Sequence, residues 1–296
     1  MSEISANLIK ELREKTGAGI VDCKKALVES KGDIEAAVDV LRKSGAAKAD
    51  KKSGRITTEG RIAIYQNEKA AALVEVNCET DFVAKNEDFQ KTADAIAKLA
   101  VEKECASVDA LLEQKLGNTS VKETLQNMVL KIGENIGLRR VLLVPAGSGE
   151  KIGSYIHMGN KIGVLVKVLG NLQESAIRDV AMHIAAAAPL YLDRDLIPAE
   201  AIAREKAVYE EQMKDLKKPP QVMEKIMEGK IASFADQVCL VRQAFVKDPS
   251  GKQSVAEFLK LQDASAKVLQ FARFQVGEGM AKKEENFAAE VAKAIG

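Results

Sequence analysis

Tryptophan is absent from this 296-residue chain, and aromatic residues make up only 4% of it. Histidine occurs twice, as His157 and His183, which leaves a histidine-based triad or metal site poorly supplied. The four cysteines (Cys23, Cys78, Cys105, Cys239) lie far apart with no C-x-x-C pair. That spacing disfavours metal ligation and fits the reduced, buried thiols of a cytoplasmic protein. Forty-four Lys and Arg against 43 Asp and Glu leave a formal charge of +1. A dedicated nucleic-acid binder neutralises phosphates and shows a basic excess, so direct nucleic-acid binding is not expected. No apolar run approaches the roughly 20 residues that span a bilayer. The nearest, around Val180 to Leu192, is broken by His183 and Pro189. Met1-Ser2-Glu3-Ile4-Ser5 has neither the basic nor the apolar region of a secretory signal. A Walker A loop is missing as well: Gly147-Ser148-Gly149-Glu150-Lys151-Ile152-Gly153 has the wrong spacing and reads as a turn. Carboxylates are plentiful but form no distinctive pair. The supply of groups argues against covalent chemistry, and no cofactor or metal is expected.

Against these absences, Asn77-Cys78-Glu79-Thr80-Asp81-Phe82-Val83-Ala84 sets an acid beside a large ring, directly after the strand-like run Ala71 to Val76. Loops at strand ends carry binding groups more often than core positions do. The residues alone leave two readings of Phe82: it faces a partner, or it joins Phe89 in closing a core. Asp81 has two as well, a partner contact or a cap for the turn. A thiol nucleophile built on Cys78 with His157 has no supporting motif around it.

The first 45 residues read as three short helices. Ser5 caps one carrying Leu8, Ile9 and Leu12 on one face, a second runs from about Val21 to Ser30, and Asp33 caps a third ended by Gly45. The spacing predicts a flexible linker over residues 46–55, where small residues mix with Lys48, Lys51 and Lys52. Two α+β repeats follow, over residues 56–145 and 146–296. The first has Ile62 to Tyr65, a turn at Asn67-Glu68, Ala71 to Val76, a helix with Phe89, Ala93, Ile96 and Leu99, and a strand from Leu138 to Val144. The second repeats that order with Gly153 to His157, Ile162 to Leu169, a helix from Ser175 to Ala188, and a strand from Val268 to Val276. An antiparallel helical hairpin over about 199–235 interrupts the second repeat. Ile202, Tyr209, Met213 and Leu216 form a coiled-coil-like stripe on its first arm, and Pro219-Pro220 turns the chain. At 1.5 Å per residue it is roughly 28 Å long. A C-terminal helix is expected over about 280–296. The fold class is α+β.

Several motifs in one order carry a resemblance. Leu12-Arg13-Glu14-Lys15-Thr16-Gly17-Ala18-Gly19 and Asp22-Cys23-Lys24-Lys25-Ala26-Leu27 open it, and Asn77 to Ala84 follows. Lys131-Ile132-Gly133-Glu134-Asn135-Ile136, Gly153-Ser154-Tyr155 with His157, and Phe274-Gln275-Val276-Gly277-Glu278-Gly279 complete it. Over essentially its whole length the chain resembles bacterial elongation factor Ts, the guanine-nucleotide exchange factor of the translational GTPase elongation factor Tu. The three N-terminal helices resemble a ubiquitin-associated domain. One departure is Ile20-Val21, where the family often has a Met pair.

The resemblance implies a partner, elongation factor Tu in its GDP-bound and nucleotide-free forms, with no membrane contact and a homo-oligomer left open. By similarity, Phe82 wedges into the GTPase domain near the nucleotide, Asp81 disturbs the Mg²⁺ environment, and Thr80 and Val83 flank them. Ile132 and Gly133 contact the same domain, and Arg13, Ile20 and Val21 anchor the N-terminal helices on it. His157 grips another domain. Two rivals remain beside this: a binding adaptor acting through residues 1–45 alone, and the thiol enzyme on Cys78.

Overall fold

The computed structural model describes residues 4–214, 216 and 218–281. Its contacts divide the chain into two compact units. The first takes the described residues up to Tyr65, then Ala72–Leu143, then those from Gln275 on; the second takes Gln66–Ala71 and Val144–Phe274.

In the first unit α1 (Ala6–Thr16), α2 (Ile20–Glu29) and α3 (Ile34–Lys52) surround Leu12, Cys23, Ala26, Leu27, Ala37 and Leu41. Ser5 and Asp33 accept backbone N–H groups as N-caps, and Gly17 ends α1 in the left-handed conformation. Next come strands β1 (Glu59–Gln66) and β2 (Ala70–Cys78) and helices α4 (Asp81–Ala84), α5 (Glu87–Glu102) and α6 (Val108–Leu112). The two-residue strands β3 (Lys115–Leu116) and β4 (Thr119–Ser120) lead into α7 (Val121–Ile132) and then β5 (Gly137–Pro145). The sheet order is β1-β2-β5. As the middle strand, β2 is buried along its whole length, and α5 inserts Phe89, Ala93, Ile96 and Leu99 into the core.

The flexible linker expected over residues 46–55 is a correction: α3 continues through Gly45 to Lys52. Every residue from Ala46 to Lys52 except Asp50 is a strong helix former, and one interior glycine costs only about 1 kcal/mol relative to alanine. Gly45 is buried where α3 meets α7, and a β-carbon there would stand 3.6 Å from the Gln126 carbonyl oxygen, an ordinary contact. Gly45→Ala is therefore expected to raise stability by up to about 1 kcal/mol, read as a higher urea midpoint. A lowered midpoint would mean that the interface with α7 does not tolerate the methyl group.

Two polar residues interrupt the otherwise apolar β2. Glu75 is fully buried, and its carboxylate accepts hydrogen bonds from Arg139 Nη1 (3.1 Å), Arg140 Nε, the Asn77 side-chain amide (3.1 Å) and the Gly277 N–H (2.9 Å). The chain beyond residue 275 is thereby tied to the sheet. Gly277 has φ +72°, and a β-carbon on it would lie 2.5 Å from the Thr58 carbonyl oxygen, so only glycine fits this approach.

The second unit holds β6 (Glu150–Ile156) and β7 (Ile162–Leu169), α8 (Glu174–Ala187), α9 (Ala199–Met213), α10 (Pro220–Val238), α11 (Val255–Gln262) and β8 (Lys267–Gln275). Its sheet has the order β6-β7-β8, with β6 and β7 antiparallel from Glu150↔Leu169 to Ile156↔Gly163. Val164, Val166 and Val168 pack against Ile177, Val180 and Ile184 of α8. Between α9 and α10, Ile202, Met213, Met223, Met227 and Ile231 line a groove, and the Lys230 ammonium stands 4.8 Å over the Tyr209 ring. The C-terminal helix expected over 280–296 lies outside the described residues from 282 on. Among the described residues no helix is long and apolar enough to cross a membrane.

His183 is buried in this unit. Its Nδ1 accepts the Val246 N–H (3.1 Å), so Nε2 carries the hydrogen and donates to Gln243 Oε1 (3.0 Å). Burial pushes its pKa below the ordinary histidine value, with the Gln243 hydrogen bond opposing. A depressed folded value means that the unfolded chain takes the proton first. The contribution is complete above about pH 6.5 and is lost as pH falls toward the folded value. Urea midpoints should fall between pH 7.5 and 5.5, and fall less in His183→Gln. An equal fall in both proteins would assign the loss to other groups.

Candidate functional site

Strand β2 leaves the sheet at Cys78, and two residues later Thr80 becomes the N-cap of α4, accepting the Val83 N–H at 3.4 Å. The second residue of α4 is Phe82, which is 80% exposed, whereas Phe89 is fully buried. The reading in which both rings close the core is thereby excluded for Phe82. Among the described residues Phe82 is the one phenylalanine that is exposed, and it sits on a single helical turn at a strand exit. Asp81 starts α4 and is ion-paired with Lys85 at 2.7 Å, one turn on, both side chains largely exposed. Thr80, not Asp81, supplies the cap. Val83 is only 8% exposed, so of Thr80, Asp81, Phe82 and Val83 it offers a partner the least surface.

Alpha helix α7 ends beside this loop. Ile132 is its last residue, half-buried, and Gly133 caps it at φ +90°, the left-handed region that glycine occupies without strain. Next along the chain, Glu134 places one carboxylate oxygen 3.0 Å from both the Glu79 and Thr80 N–H groups, while its other oxygen accepts the Thr80 hydroxyl at 2.6 Å. The last turn of α7 also lies against the loop between α1 and α2, since a β-carbon on Gly17 would be 3.3 Å from Lys131 Cδ. Beyond that loop Ile20 and Val21 open α2, 56% and 65% exposed, with the exposed Arg13 across a hollow lined by Ile9, Lys10 and Glu14. The first unit thus brings Thr80, Asp81 and Phe82 near Ile132 and Gly133, and brings α7 near the Ile20 end of α2.

His157 lies in the second unit, just past β6. It is exposed, and its Nδ1 is 3.3 Å from the Tyr155 hydroxyl. Cys78 is fully buried with its thiol donating to the Thr80 carbonyl oxygen at 3.1 Å, so it offers no accessible nucleophile.

The family profile described as elongation factor TS matches residues 79–278. Elongation factor Ts of Alkalilimnicola ehrlichii is 48% identical over 290 residues, 97% of each chain. That of Methylococcus capsulatus is 49% identical over 292 residues and that of Thioalkalivibrio sulfidiphilus 46% over 290, again 97% of each chain. This chain belongs to the elongation factor Ts family. The family is that of the nucleotide exchange factor of elongation factor Tu. Its profile match begins at Glu79 and takes in both the Phe82 turn and the end of α7.

In this member of the elongation factor Ts family, the groups that connect the site carry little signal in the sequence. Glu134 and Asn135 directly follow Ile132 and Gly133 in one motif, and their bonds to the Glu79–Thr80 segment appear only in the fold. Glu79, Arg55 and Lys52 carried no local pattern, because their partners lie about 25 to 80 positions away in sequence.

Proposed function

We propose that this protein accelerates GDP release and GDP/GTP exchange on elongation factor Tu by binding it, without covalent chemistry of its own. The exposure of Phe82 on a braced turn is the observation that supports this reading most. Phe82 enters an apolar recess of the GTPase domain near the nucleotide. Asp81 exchanges Lys85 for the metal environment there, a small loss, since exposed i,i+4 pairs contribute only about 0.3–0.5 kcal/mol. Ile132 and Gly133 meet the same domain, Arg13, Ile20 and Val21 anchor α1 and α2 on it, and His157 engages a second domain.

Magnitudes require this breadth. Raising a release rate about a thousandfold needs roughly 4 kcal/mol. Burying one phenylalanine supplies about 1.5–3 kcal/mol. A factor that weakens nucleotide binding is in turn expelled by nucleotide, because the coupling is reciprocal, so it turns over.

The architecture fits this use. We read α1–α3 as a ubiquitin-associated-like module, the strand orders β1-β2-β5 and β6-β7-β8 as an internal duplication, and α9 with α10 as an antiparallel hairpin inserted in the second copy. The cytoplasm is the compartment of such a factor.

The test loads elongation factor Tu with fluorescent GDP and adds catalytic amounts of this protein. Accelerated loss of fluorescence supports exchange. Unaltered release, with binding retained by residues 1–45 alone, would favour the adaptor reading instead.

A further inference from the structure

A four-residue helix such as α4 has too few internal hydrogen bonds to fix its own direction, because helix nucleation is unfavourable. The aim of Phe82 must therefore be imposed from outside α4. The Glu134 carboxylate meets that need with its three bonds to the Glu79 N–H, the Thr80 N–H and the Thr80 hydroxyl. The support is reciprocal: Glu79 Oε1 accepts the Asn135 N–H at 2.6 Å and Arg55 Nη1 at 3.3 Å. Asn135 Nδ2 donates to the Ser53 and Arg55 carbonyl oxygens at 3.3 and 3.0 Å, and Lys52 Nζ donates to the Gly133 carbonyl oxygen. Three chain segments meet in this network, just after α3, β2 and α7, all in the first unit. Bonds to an ionised carboxylate are shorter and stronger than neutral ones, and a carboxylate accepting backbone N–H groups orients them as well as holding them.

We infer that Glu134 is a positioning residue for exchange: it fixes the direction of Phe82 through the Glu79–Thr80 backbone and ties that direction to the end of α3. This rests on the reading of Phe82 as the group that enters the partner. Glu134 acts through Phe82 without reaching the nucleotide site itself. The α3 helix also packs against α1 and α2 around Leu12, Leu27 and Leu41, so the network joins the Phe82 turn to the helices that carry Ile20 and Val21.

The experiment measures GDP release from elongation factor Tu with four full-length proteins: wild type, Phe82→Ala, Glu134→Gln and the double variant. Glutamine keeps the size of Glu134 and can still meet both N–H groups with its oxygen and the Thr80 hydroxyl oxygen with its NH₂, so the variant removes the charge that makes these bonds strong. Glu134→Gln is expected to lower the maximal release rate roughly tenfold in the wild-type background. In the Phe82→Ala background the same change should cost less than about twofold, because no ring remains to be aimed. A purely structural role would slow both backgrounds by the same factor, and that result overturns the inference, as would full activity of Glu134→Gln. Should Phe82→Ala itself release GDP at the wild-type rate, the reading of Phe82 falls, and the inference falls with it. Thr80→Val removes the hydroxyl that Glu134 holds while keeping the volume, and serves if Glu134→Gln does not fold. It should show the same dependence on Phe82, and equal losses in both backgrounds would again overturn the inference.

Discussion

Phe82→Ala is expected to slow catalysed GDP release from elongation factor Tu by about one to two orders of magnitude. The range follows from the roughly 1.5–3 kcal/mol that burial of a phenylalanine side chain contributes, all of which is gained only in the complex, since the ring is 80% exposed in the free protein. For the same reason the variant should unfold like the wild type, within about 0.5 kcal/mol. That pairing of results separates a partner contact from a core residue: truncating the fully buried Phe89 would instead cost about 3–5 kcal/mol of stability. Phe82→Leu should retain an intermediate rate. Release within twofold of the wild type for Phe82→Ala would remove the ring from the mechanism and leave exchange to Ile132, Gly133 and the N-terminal helices.

Glu75→Gln is expected to cost about 3 kcal/mol of stability near neutral pH. The substitution leaves Arg139 and Arg140 facing a neutral amide in the middle of a buried strand, and turns one acceptor of the Gly277, Asn77 and arginine donors into a donor. Burial alone pushes the Glu75 carboxyl up, but the Gly277 N–H, Arg140 and Asn77 outweigh it and hold the group below the ordinary carboxylate range. With the folded value depressed, the stabilisation is complete above the unfolded value of about 4.3 and disappears as pH falls through the folded one. The difference between wild type and Glu75→Gln should accordingly be widest at pH 6–7 and shrink below about pH 4. Denaturation midpoints across that range provide the check, and a difference that does not change with pH would show that the charge of Glu75 is not what holds the network.

The regular elements were legible because their periods are strong. The runs at Ile62, Ala71, Ile162 and Val268 are strands, and the Phe89-to-Leu99 spacing is a helix with those residues inside. Both α7 and α11 begin with capping boxes, Ser120 with Glu123 and Ser254 with Glu257, so their starts are written in the sequence as plainly as that of α1. Residues 46–52 looked like a tether because small and charged residues suit both a coil and an exposed helix, and packing of α3 on α7 chose the helix. Phe82 and Val83 are adjacent in sequence but differ in exposure, because neighbours in one helical turn point in different directions.

The sequence by itself determined the α+β class, the order of the longer strands and helices, and the stretch around Phe82, since each depends on local spacing and on motifs read in line. It also determined family membership, which similarity along nearly the whole chain establishes. Only the tertiary structure decided which of two equivalent phenylalanines faces water, because exposure depends on what packs over a residue. Only it joined Glu134 to Glu79 and Thr80, and Glu75 to Arg139 and Gly277. Those partners are brought together by the packing of α3, α7 and the sheet, and no local spacing encodes a contact made across 55 or 202 residues.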